Sequence, residues 1–148
     1  MNSVPQKEDH VVSEAEWQVM RVIWNKEHTT AKEIYELLHE PLDWKLATVK
    51  TLLGRLVTKE WVQTTKEGKR FIYSPLLSQA DAMKLATDDF LARICAMTVG
   101  ETIAELIKTT PLRQEDLHLL RETINQTQPM SITCTCLPGQ CNCHHEKG

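Results

Sequence analysis

Ten residues near the C-terminus constrain this chain more than any other stretch. Cys134-Thr135-Cys136-Leu137-Pro138-Gly139-Gln140-Cys141-Asn142-Cys143 holds four of the five cysteines in a C-x-C-x4-C-x-C pattern. Thiols at this density repel one another as thiolates and oxidise readily unless something holds them, and a thiophilic metal does so economically. The spacer agrees, because Pro then Gly at its centre is the signature of a type II β-turn, which folds one C-x-C arm back on the other. Zn–S bonds are about 2.3 Å, so a tetrahedral S4 site needs sulfurs roughly 3.8 Å apart. In a flat strand the α-carbons of residues i and i+2 stand roughly 6.6 Å apart, so each arm must be irregular or turned. Four thiolates suit tetrahedral Zn(II) and equally the soft ion Cu(I). The tight C-x-C spacing leans towards a compact Cu(I)–thiolate cluster as one occupied state, since structural zinc sites commonly use wider pairs. A disulfide clasp would need a secreted protein, which nothing else in the chain suggests.

With 148 residues the chain has room for one ordinary domain or two small ones. The formal net charge of -3 gives no overall nucleic-acid signal, but its distribution does. Lys45, Lys50, Arg55, Lys59, Lys66, Lys69 and Arg70 face only Glu60 and Glu67 between residues 45 and 70, whereas beyond residue 76 acids outnumber bases. A basic block in an acidic protein is a candidate phosphate footprint. The N-terminus lacks a signal-peptide apolar core, and no stretch approaches the ~20 apolar residues of a membrane helix. The expectation is a cytoplasmic protein with no membrane partner, where clustered cysteines mean metal or redox chemistry.

Residues 1 to 12 read as a loose lead-in. Ser13-Glu14-Ala15-Glu16 is a capping box opening a first helix, with Trp17, Met20 and Trp24 on its apolar face. Thr30 caps a second helix, striped by Ala31, Ile34 and Leu38, which Pro41 is expected to end. The third helix, about Leu46 to Lys59, buries Val49, Leu52, Leu53, Leu56 and Val57. Its other side carries Ala47, Thr48, Lys50, Thr51, Gly54, Arg55 and Thr58, all small, hydroxylic or basic. Such residues donate to phosphates and base edges and let a helix sit deep in a major groove. Most basic helix faces bind nothing, but the neighbours shift the balance here. Trp61–Thr65 and Arg70–Ser74 are β-rich flanks around a Gly-containing turn, a hairpin whose tip holds Lys66, Lys69 and Arg70. Three helices and a basic-tipped hairpin follow the winged helix-turn-helix order.

After Pro75 the pattern is helical. Met83, Ala86, Phe90, Ile94 and Met97 imply one helix from about Ser78 to Thr98. Ile103, Leu106 and Ile107 mark another after Gly100, and Leu117, Leu120 and Ile124 a third. Three short amphipathic helices do not close a generous core alone, so a homodimer reading an inverted-repeat operator is expected. The fold class is therefore mainly α with a small β-hairpin wing. A winged-helix domain spans 1–75, a helical dimerisation region 76–129 and a cysteine-rich metal-binding tail 130–148.

Ser13–Met20 and Trp44–Leu56 resemble the BlaI/MecI family of winged-helix repressors from about residue 10 to 125, and the tail makes the chain similar to the CopY branch of copper-responsive repressors. The resemblance implies a dimer that, with Zn(II) on the thiolates, binds double-stranded operator DNA and represses a copper-transport operon. Cu(I), delivered by a copper chaperone, displaces zinc and releases the DNA. By position it implies Cys134, Cys136, Cys141 and Cys143 as metal ligands and Ala47, Thr48, Lys50, Thr51 and Arg55 as groove-facing residues. Lys45-Leu46-Ala47 departs from the Ser-Pro-Lys common in the β-lactam branch. No Asn is followed by Phe, so the cleavage that inactivates that branch is not carried over. Zn(II) on four thiolates and two Cu(I) on four thiolates carry the same charge, so a switch between them would work by geometry.

Cys95 reads as a small buried apolar residue. His144 and His145 read as exposed tail, and His10, His28, His39 and His118 show no ligand spacing. The four tryptophans read as core and helix-docking residues. No nucleophile–base pair, phosphate-binding glycine loop or H-E-x-x-H points to an enzyme. Two other functions remain open: a thiol-redox switch on a DNA-binding domain, and a metal store on a helical scaffold. The basic third helix and wing argue against the store, which needs neither.

Overall fold

In the computed structural model the chain divides into two compact units between Leu85 and Ala86. Residues 11–143 are described; His10, His144 and His145 lie outside them.

The first unit begins with α1 (Glu14–Lys26), α2 (Ala31–Leu42) and α3 (Leu46–Thr58). Local chemistry sets the first two starts. Ser13 Oγ accepts from the Glu16 amide at 3.1 Å while Glu16 Oε1 accepts from the Ser13 amide at 2.8 Å. Thr30 and Glu33 repeat the arrangement at 3.1 Å in both directions. Each box satisfies two amides that a helix start leaves unpaired. Val12, at the end of the expected lead-in, packs against the core, and residues 1–10 lie outside the described residues.

Pro41 does not end α2. It lies inside the last turn, and the helix runs to Leu42. The stop comes from Asp43, whose left-handed backbone (φ 53, ψ 46) returns its amide to His39 O. So close to the C-terminus a proline removes one hydrogen bond and interrupts no helix beyond it.

The antiparallel hairpin β1 (Val62–Glu67) and β2 (Arg70–Pro75) pairs Val62 with Pro75 through to Glu67 with Arg70. Gly68, at φ 64, opens the two-residue turn, a position that favours glycine. A bridge outside the hairpin fixes the wing to the helices: Thr29 N donates to Tyr73 O at 3.0 Å, and Tyr73 N to Thr29 O at 2.7 Å.

The core collects Val19, Met20, Ile23, Ile34, Val49, Leu52, Leu53, Leu56, Trp61, Val62 and Ala82. Each is one face of an amphipathic element, as the periodicity requires. Trp61 is fully buried at the centre of a tryptophan group, its ring edge-on to Trp17 at 5.9 Å, with Trp24 beyond. Trp24 Nε1 donates to Leu77 O at 2.8 Å and so holds the chain leaving the wing.

From α4 (Gln79–Leu91) the chain enters the second unit, which includes α5 (Val99–Thr109) and α6 (Gln114–Gln126). The single helix expected over Ser78–Thr98 is broken. It ends at Leu91, and Arg93 and Ile94 donate to carbonyls three residues back. Cys95 is extended (φ -63, ψ 134), and a 3-10 turn over Ala96–Thr98 leads into α5, which includes Gly100. Thr98 Oγ1 donates to Cys95 O at 2.8 Å and stabilises the break. Steps of three and four persist across such a break, so periodicity alone does not detect it. Among the described residues, none from 86 onward is fully buried.

Candidate DNA-binding face and thiol cluster

The DNA-facing candidates share one surface of the first unit. Ala47, Thr48, Lys50, Thr51 and Arg55 are all exposed on α3, opposite its buried stripe. Thr51 Oγ1 donates to Ala47 O at 3.0 Å, which parks its proton and leaves the oxygen facing out as an acceptor. Space beside Gly54 is open, with nothing within 4 Å of where a Cβ would sit.

The start of α3 differs from the starts of α1 and α2. Lys45 occupies the N-cap with no side-chain cap, and no acid lies in the first turn. No carboxylate of the helix's own first turn therefore meets its positive dipole end, a setting that suits an anion.

At the wing tip Lys66, Lys69 and Arg70 are exposed, with Lys66 Nζ 5.8 Å from the centre of the Phe71 ring. A groove of about 680 Å³ between the start of α2 and the wing is lined in part by Lys50, Lys69 and Arg70, together with Lys32, Glu33 and Glu36. Lys59 does not belong to this footprint. Its ammonium lies 2.7 Å from Glu16 Oε1 and 2.9 Å from Val11 O, so one charge counted towards phosphate neutralises a buried acid instead.

The cysteines gather within the second unit. The Pro138–Gly139 turn forms as expected: Gln140 N donates to Leu137 O at 3.1 Å, and Gly139 sits at φ 88. It turns the arms together so that Cys134 Sγ and Cys141 Sγ are 3.3 Å apart. Each arm curls so that its second amide donates to its first sulfur, Cys136 N to Cys134 Sγ and Cys143 N to Cys141 Sγ, both at 3.4 Å.

Cys95 is not a buried apolar residue. It is half-buried, and its sulfur lies 3.5 Å from Cys134 Sγ and 3.5 Å from Cys143 Sγ. The sulfurs of Cys95, Cys134, Cys136 and Cys141 all lie within 4.8 Å of one another, a group that could hold a metal ion. Cys143 touches Cys95 but lies outside that group. No spacing rule pointed to Cys95, because it stands 39 residues before its nearest sulfur partner.

Protonation in the cluster is uneven. The Met97 amide, donating to the Cys95 sulfur, leads the effects that hold that thiol below its usual value. Hydrogen bonding to Cys134, with burial, pushes the Cys136 thiol up. Contact with Cys95, then Cys141, pushes Cys143 up to about 12. Five sulfurs this close do not all ionise unless a cation offsets their charge. The donor set is wholly soft and therefore fits Zn(II) or Cu(I) rather than a hard cation.

A family profile described as penicillinase repressor matches residues 12–126 and so stops short of Cys134. An uncharacterised 16.5 kDa protein from the ptsI 3' region of Latilactobacillus sakei is 37% identical over 139 residues, covering 92% of this chain and 95% of its own. The methicillin resistance regulatory protein MecI of Mammaliicoccus sciuri is 28% identical over 115 residues, covering 78% of this chain and 94% of its own. A solved structure described as the CopR repressor is 54% identical where it aligns, over 46% of this chain and 99% of that one, with a TM-score of 0.41.

Proposed function

The chain belongs to the penicillinase repressor family of DNA-binding transcriptional repressors, and from that premise we propose that it is the copper-sensing repressor of a copper-transport or homeostasis operon. It is a repressor rather than an enzyme. In the proposed cycle a cytoplasmic homodimer holding Zn(II) binds an inverted-repeat operator. Cu(I), donated by a copper chaperone, takes the thiolates and the dimer leaves the DNA. The metal would draw its tail ligands from Cys134, Cys136, Cys141 and Cys143.

The observation that carries this reading is the convergence of the tail sulfurs beyond the part of the chain matched by the family profile. A repressor body with an appended thiol cluster suits an inducer that thiolates select. Bound zinc would supply the positive charge that lets several thiolates remain together. The protein's own part is to turn the arms through Pro138–Gly139 and aim amides at sulfur.

DNA binding is assigned to α3 and the wing. Ala47, Thr48, Lys50, Thr51 and Arg55 would face the major groove, while Lys66, Lys69 and Arg70 would follow the phosphates. Dimerisation is assigned to the second unit, where Phe90, Met97, Ile103, Leu106, Leu119 and Ile124 are all exposed. Apolar surface of that extent is covered in a stable protein, and a symmetric partner covers it economically.

An anaerobic gel-shift with zinc-loaded protein on an inverted-repeat operator, titrated with Cu(I) while zinc release is followed, tests the proposal. DNA release in step with zinc loss is expected. Binding that ignores both metals overturns copper sensing. Release by oxidant in the absence of metal would favour a thiol-redox switch, a reading that the depressed Cys95 thiol beside two other sulfurs also supports.

A further inference from the structure

We propose that Cys95 is itself a metal ligand: Zn(II) is held by Cys95 with Cys134, Cys136 and Cys141, and Cys143 is the thiol left over. The inference rests on the metal-binding reading of the tail and changes what the metal joins. A centre made of tail cysteines alone would close the tail on itself. A centre that includes Cys95 ties the tail to the connection between α4 and α5.

Three observations carry it. The sulfurs of those four residues lie within 4.8 Å of one another, although Cys95 and Cys134 are 39 residues apart in sequence. The contacts of 3.3 and 3.5 Å at Cys134 are close to the roughly 3.8 Å between sulfurs on a tetrahedral zinc, so little movement is needed. Cys95 also sits against both arms of the tail, 3.5 Å from Cys134 of the first C-x-C and 3.5 Å from Cys143 of the second.

Five sulfurs exceed the four positions of tetrahedral zinc by one. Cys143, 3.5 Å from Cys95, would be the thiolate available to a second soft ion at the same centre. Each thiol that becomes a ligand gives its proton to solvent. Through Cys95, the state of the metal would act on the start of α5, in the unit assigned to dimerisation.

The test uses full-length protein loaded anaerobically with Co(II) and, separately, with Zn(II). In C95S/C143S, compared with C143S so that the spare thiol cannot take the vacated position, sulfur-to-cobalt charge-transfer absorbance should fall by about a quarter, one sulfur in four. Zinc should pass to a chelator more than about tenfold faster, since even second-shell losses cost that much. C134S serves as the reference for loss of a ligand. A second measurement needs no variant. Zinc-loaded wild-type protein treated with iodoacetamide should be alkylated first at Cys143 and be protected at Cys95. Spectra and chelator resistance in C95S/C143S equal to those of C143S, or early alkylation of Cys95, overturn the inference while leaving metal sensing by the tail intact. Wild-type protein that takes up neither ion overturns both.

Discussion

Lys59 Nζ lies 2.7 Å from Glu16 Oε1 and joins the end of α3 to the capping box that begins α1. Glu16 is only 2% exposed, so its carboxylate depends on that ammonium and on the Ser13 amide. Burial raises its pKa, but the Lys59 and Ser13 hydrogen bonds and the Lys59 charge outweigh burial and hold it below the ordinary 4.5. The pair thus sets α3, the proposed recognition helix, against α1.

Replacing Lys59 with Met leaves a buried carboxylate without its cation. Stability in urea should fall by about 1–3 kcal/mol, the usual cost of a stranded buried polar group. Because the folded pKa of Glu16 is depressed, its contribution is complete above about pH 4.5 and is lost as the pH falls through the lower folded value. E16Q should therefore lose part of the wild-type decline in Tm below pH 4.5, and an unchanged acid slope would exclude this role.

Arg55 and the wing cations should separate by the kind of loss they cause. R55A, if Arg55 reads a base edge, should cost about 1–3 kcal/mol on operator DNA and relax specificity at one position. K69A and R70A should weaken binding to all sequences alike and each reduce the salt slope by about one. Fluorescence anisotropy across a salt series on operator and random duplexes would distinguish the two patterns.

Gly54 offers a test in which stability and binding move in opposite directions. Alanine there adds up to about 1 kcal/mol of helix stability and meets open space in the free protein. G54A should melt higher yet bind operator more weakly, because the added methyl meets the DNA. Higher stability with unchanged affinity would mean that this part of the face stays clear of the groove.

Exposed apolar residues of the second unit predict the assembly state. L106E puts a charge on a residue 51% exposed in the single chain. Sedimentation should shift from dimer to monomer, and full-operator affinity should fall by about 10²–10⁴ as two half-sites are no longer linked. A dimer of unchanged stability would move the interface elsewhere.

Much of the first unit was legible in order along the chain because its determinants are local. Ser13 and Thr30 announce their helices through side chains three residues from their partners, the stripe from Val49 to Val57 fixes the buried face of α3, and Gly68 marks the turn of the wing. The tail's Pro-Gly turn was legible for the same reason. Pro41 misled because helix-breaking depends on how much helix follows, and here the stop belongs to the left-handed Asp43. The break at Cys95 left the apolar periodicity unchanged, so nothing in the spacing revealed it.

What the sequence by itself determined was the set of elements, the exposed basic face and the presence of a thiol-rich turn, since each depends on residues within a few positions. Only the tertiary structure decided which charges remain free and which sulfurs meet. Lys59 turned inward to Glu16 across 43 residues, and Cys95 joined Cys134 across 39. Contacts at such separation are chosen by how the elements pack, and no local spacing encodes them.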